Sequence, residues 1–176
     1  MRSASPSLLP ALEDSPFHAA GTHAWETERA LDLAARRGAE ATIAIARRDL
    51  EAAMNPAPSQ WFGKRLPVLW TLFMASREAD HRALTIWMTE TAHLLSDLPH
   101  DIVAFAIDQA IRSSRHGFIP SVGEIRRIAD PLVAERECHI QRLGKMQAAL
   151  ADPEASAERA ERRRAQSQSA ADTPVL

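Results

Sequence analysis

Asp80-His81-Arg82-Ala83-Leu84-Thr85-Ile86-Trp87-Met88-Thr89-Glu90-Thr91-Ala92-His93-Leu94-Leu95 decides the fold class. Leu84, Trp87, Met88, Thr91, Leu94 and Leu95 recur at the spacing of one helix face, while His81, Arg82, Glu90 and His93 take the other. A helix with one apolar face needs another helix to cover it, and the flanking sequence supplies several. Trp61–Ser76 carries Leu66, Leu69, Trp70, Leu72 and Phe73, apolar nearly all round, which predicts a central helix with Pro67 as its kink or its first turn. Asp97-Leu98-Pro99-His100-Asp101 combines an acidic cap candidate with a first-turn proline and opens a third helix, through Val103, Ala106, Ile107 and Ala110 to about Ser114. Pro120-Ser121-Val122-Gly123-Glu124 is a capping box, in which serine hydroxyl and glutamate carboxylate satisfy helix-terminal amides reciprocally, and it opens a fourth helix. Asp130-Pro131 reads as the N-cap and first residue of a fifth, running to Leu150. No stretch alternates with period two, so no sheet is expected.

Working outward, residues 61–150 form the expected core domain. Asn55-Pro56-Ala57-Pro58-Ser59 reads as a linker, placed over 55–60. Residues 23–54 are rich in alanine, leucine, glutamate and arginine and predict a helix or a pair of helices, interrupted at Gly38. Their apolar stripe is thin, with Leu31, Ile45, Leu50 and Met54 spread among alanines and the arginine pairs at 36–37 and 47–48. Residues 1–22, with three prolines among serines and alanines, are expected to be a flexible arm, and 151–176 a disordered tail with room for a short nascent helix around Arg162-Arg163-Arg164. The expected fold is all-α: a small bundle of about four to five helices, an additional N-terminal helix and disordered tails.

The 176 residues hold 21 basic and 23 acidic side chains, a balance that argues against a polybasic nucleic-acid coat. Neutrality is not uniform, since residues 111–150 carry seven basic groups against four acidic, and 61–110 carry four against six. The single cysteine, Cys138, allows no internal disulfide and no multi-cysteine zinc site, in keeping with a reducing cytoplasm. The six glycines are too widely spaced for a dinucleotide or phosphate-binding loop. The Leu8-Leu9 pair is far too short for a signal-peptide core, and neither a membrane role nor a cofactor is expected.

Chemistry is sparse. The seven histidines show no H-x-x-x-H spacing, and Glu135 with His139 at i, i+4 reads as an ordinary helix-face pair, so no metal site is expected. Cys138 and His139 are consecutive on a helix and point about 100° apart, which does not make a nucleophile and base. With no G-x-S-x-G elbow and no tyrosine, no catalytic residue is assigned and no enzyme is expected. The candidate binding group is basic: Arg112, Arg115 and His116 before the Gly117 turn, Arg126 and Arg127 after it, beside the helix N-terminus at Ser121. Such a group suits a phosphate or a carboxylate; the plainer reading is a solvated edge. Trp70 and Trp87 read as core, and Trp61 as either core or stacking platform.

The order of a tryptophan-bearing helix, Leu95-Ser96-Asp97-Leu98-Pro99, a second helix and Phe118-Ile119-Pro120-Ser121-Val122-Gly123-Glu124-Ile125 resembles the small helical domain of phage replicative-helicase loaders and inhibitors, and of prophage proteins of the same layout. The resemblance covers about 60 residues, from Leu69 to Ile128, and consists mostly of caps and core positions. It implies a loader that needs no ATP, grips the hexameric replicative helicase and delivers it to an origin-bound initiator, aided by a flexible segment after the domain. The chain departs from that layout in carrying about 58 residues before the domain. Two other readings stand beside it: a DNA-binding regulator using the 121–129 helix, and a virion-assembly or tail accessory that oligomerises through Trp25–Met54.

Overall fold

The computed structural model describes residues 3–13, 25–74, 80–114 and 117–171. The protein is all-α. Its eight helices among the described residues are α1 (Leu9–Leu12), α2 (Thr27–Arg36), α3 (Ile43–Ala52), α4 (Ser59–Met74), α5 (His81–Leu94), α6 (His100–Ser113), α7 (Val122–Ala151) and α8 (Pro153–Ala171). The only pairing of extended backbone found in this part of the chain is an isolated bridge between Pro56 and Pro99.

The described chain divides into two compact units, with boundaries inside α3 and α7. The first, Arg48–Cys138, holds α4, α5, α6 and the first half of α7 around Phe62, Leu66, Leu69, Leu95, Leu98, Ile102, Val103, Ala106, Ile107, Ile125 and Ala129. Helical periodicity marks Leu66, Leu69, Leu95, Val103, Ala106 and Ile107 among these, but Leu72 and Leu94, which it also places inside, are 61% and 48% exposed. Trp61 and Trp87 pack against this core half-buried, and Trp87 meets Trp70 at 5.3 Å between ring centroids. Asp80 caps α5 by accepting from the Arg82 and Ala83 amides at 2.9 and 3.3 Å. The expected linker is tied down: the Ala57 amide donates to the Leu98 carbonyl at 3.3 Å and the His100 amide to Asn55 at 3.1 Å.

Two helix starts differ from expectation. At α6 the N-cap is Pro99, with no side-chain cap; Asp97 pairs with Arg126, and Asp101 reaches Arg136 at 2.8 Å. The Asp130-Pro131 boundary is absent, because α7 continues through Pro131. Asp130 pairs with Arg126 one turn earlier at 3.2 Å instead of capping, and Ile125, Ile128, Ala129, Leu132 and Val133 pack on one core from both sides of the proline. That burial holds the helix together across a residue that breaks its hydrogen-bond ladder.

The second unit, Ala4–Arg47 with His139–Leu176, holds α1, α2, most of α3, the second half of α7, and α8. It buries Leu8, Leu12, Leu31, Ile43, Leu143 and Met146 completely. Residues 139–150 thus cluster with the N-terminal helices, a division other than the expected single domain over 61–150. Part of the expected flexible arm is structured, since Leu8 and Leu12 are buried and α1 packs on α2; residues 14–22 lie outside the described range. After α2, Gly38 takes φ +63°, and the Gly38 and Ala39 amides donate back to Ala35 and Ala34 at 2.9 and 2.8 Å, the turn that favours glycine there. The Trp25 indole N–H donates to Ala11 at 2.8 Å, with Arg142 and Lys145 over its ring at 5.4 and 5.8 Å.

The segment expected to be a disordered tail is helical over Pro153–Ala171. Asp152 starts the helix by accepting from the Glu154 and Ala155 amides at 3.0 and 3.4 Å. Its attachment is polar, and a reading by apolar stripes finds nothing in it. No helix among the described residues is long and apolar enough to cross a membrane.

Candidate functional site

The expected basic group flanks the turn between α6 and α7. Gly117 takes φ +66° there, a conformation open to glycine at little cost, and Phe118-Ile119-Pro120 then leads to the α7 cap. Both halves of the capping box form. The Ser121 hydroxyl accepts from the Glu124 amide at 3.2 Å, and Glu124 accepts from the Ser121 amide and hydroxyl, each at 2.8 Å. The Ser121 amide, then the Ser121 hydroxyl, and to a lesser degree the nearby Arg127 charge, hold the Glu124 carboxyl below the usual carboxylate range. The N-terminus expected to receive an anion already has a carboxylate of its own chain.

Arg126 is not available as an anion ligand. Its Nε and Nη2 donate to the Leu94 carbonyl at 3.1 and 2.8 Å, its Nη1 donates to Asp130 at 3.2 Å, and it also pairs with Asp97. It joins the end of α5, the following loop and α7. Arg127, its neighbour, is exposed, as is Arg112 in the last turn of α6. Arg115 and His116 lie outside the described residues. The described members of the expected group are thus one structural arginine and two exposed ones.

Periodicity did not single out Phe118. It is 74% exposed and lines a cleft of about 400 Å³ with Ala110, Ile119, Pro120, Arg127 and Ile128. The Ser114 hydroxyl donates to its carbonyl at 3.1 Å, fixing the backbone beneath the ring. An aromatic between a glycine turn and a proline, off any helix face, is the sequence signal that could have marked it. The lining is mixed, Ala110, Ile119, Pro120 and Ile128 beside Ser113, Ser114, Glu124 and Arg127, a composition suited to an apolar side chain flanked by polar or acidic groups.

Other expected positions have plain surroundings. Trp61 packs edge-on against His100 at 5.0 Å and Phe62 at 5.1 Å. Cys138 is half-buried. Among the described residues no three of histidine, cysteine, aspartate and glutamate gather as a metal site would require. No known protein family, curated protein or solved structure matches the chain.

Proposed function

We propose that this chain is a non-enzymatic interaction protein of phage or prophage type, that it acts in the cytoplasm, and that it contacts its partner through the cleft between α6 and α7. Phe118 carries this reading. Folded proteins seldom leave a large aromatic ring so exposed beside a cleft, and such rings are the anchors on which interfaces depend. The sequence resemblance gives the partner's class, the hexameric replicative helicase, and the role, that of a loader or related replication accessory.

Mixing the full chain with the replicative helicase and following co-elution on a sizing column tests the proposal. The expected result is a stable complex for the native chain and none for Phe118→Asp. Absence of a complex with the native chain counts against the helicase, and equal binding by Phe118→Asp counts against the cleft. DNA binding that weakens steeply with salt would favour the regulator reading instead, for which Arg127 is the exposed member of the Arg126–Arg127 pair.

A further inference from the structure

The helix α8 has an unusual attachment. Between Pro153 and Ala171 its apolar side chains are alanines and one proline, so it brings no leucine, isoleucine or aromatic ring to a packing seam. Yet Arg159 is only 3% exposed, and the less exposed positions Ala155, Ser156, Arg159 and Arg163 form one face at i, i+1, i+4 and i+8. What that face meets is charge. Arg159 donates to Glu28 at 2.9 Å, Arg162 to Glu28 at 3.4 Å, and Arg163 to Glu40 at 2.9 Å while lying 3.8 Å from Asp32. Glu28 and Asp32 stand one turn apart on α2, and Glu40 follows in the turn after it, so an acidic row faces a basic one.

The two ends of this attachment are not equivalent. Near α7, Arg159 also donates to the Ala149 carbonyl at 2.6 Å and to Ser156 at 2.8 Å, and the Ser156 hydroxyl donates to Leu150 at 3.1 Å. These bonds are short-range and partly buried, and dissolved ions screen them less than exposed pairs. Farther along, the Arg162 and Arg163 side chains are 57% and 37% exposed. Their ion pairs are the part that salt weakens. A helical segment of this length is marginal in water without tertiary support, so a released distal half unwinds.

We propose that α8 is an electrostatic latch: its base is fixed to α7 through Arg159 and Ser156, and its distal half is held on α2 by Arg162 and Arg163, opening as ionic strength rises. Opening uncovers Asp32 and Glu40, leaves Glu28 paired with Arg159, and frees guanidinium groups from the distal half in the same step.

Amide hydrogen exchange on the full chain, read by mass spectrometry at low salt and at about 1 M salt, tests this. Loss of the exposed pairs should lower protection over residues 160–171 about tenfold, while amides of α6 keep theirs. At low salt Arg163→Glu should match the open state, and adding Glu40→Arg should restore protection. Salt-independent protection over 160–171 would overturn the latch. So would failure of the charge-reversed pair to restore protection while α6 remains protected, because a contact of shape alone does not recover when its charges are exchanged.

Discussion

Arg136 and Asp101 meet fork to fork: Nη1 reaches Oδ1 and Nη2 reaches Oδ2, both at 2.8 Å. The guanidinium is 4% exposed and also donates to the Ala53 carbonyl at 2.8 Å, so one side chain of α7 joins the first turn of α6 to the end of α3. Removing the carboxylate charge weakens the fork-to-fork pairing of a buried cation. Asp101→Asn is expected to lower unfolding free energy by about 3 kcal/mol, measured by urea denaturation. The double replacement Asp101→Leu with Arg136→Met should cost less than the single one, because it buries no charge.

Glu124 gives the protein a defined response to acid. Its carboxyl is held below the ordinary range mainly by the Ser121 amide, so its contribution to stability is present above the ordinary carboxylate range. That contribution is lost as pH falls through the depressed value. In Ser121→Ala the backbone amide remains but the hydroxyl is gone, and the Glu124 titration followed by carbon NMR should move partway back up. Loss of the Ser121 cap itself is expected to cost about 1 kcal/mol.

Pro131 tests the continuity of α7. In a helix interior a proline leaves the carbonyl four residues earlier, that of Arg127, without its usual donor, whereas at a first turn it is favourable. Pro131→Ala should therefore stabilise the protein by roughly 1–3 kcal/mol, seen as a raised melting temperature. A destabilising result would mean that a helix begins at residue 131.

The contrast between Asp130-Pro131 and Asp152-Pro153 shows how far the sequence could be read. The two dipeptides are identical, yet only Asp152 caps a helix, while Asp130 turns back to Arg126. Local chemistry offers a cap in both places, and tertiary packing decides which is used. Where local and tertiary preferences agree, as at Asp80 and in the Ser121–Glu124 box, the helix starts were legible, along with most of the first core. Unit two was less so. Its α1 buries two leucines from a proline-rich stretch, and α8 is held by arginines pairing with acids more than a hundred residues away. Of the candidate group, the position of the turn and the exposure of Arg127 are legible in the sequence; Arg126, read there as a ligand, binds its own chain, and Phe118 has no periodic partner to mark it.

Phe118 lies outside the buried core and its side chain is mostly in water. Phe118→Asp should change unfolding free energy by less than about 0.5 kcal/mol. The same substitution should abolish partner capture, and a large drop in stability would instead make the ring part of the fold.

The placement of the indoles has a practical consequence. Trp61, Trp70 and Trp87 belong to one unit and Trp25 alone to the other. Emission lost in Trp25→Phe is thus the optical signature of the second unit, recorded beside two cations and a backbone carbonyl. The 5.3 Å approach of Trp70 to Trp87, at 53° between their planes, gives the first unit a separate signal, a coupled pair of near-ultraviolet circular dichroism bands. Melting each unit in the intact chain can thus be followed by light, without any added label.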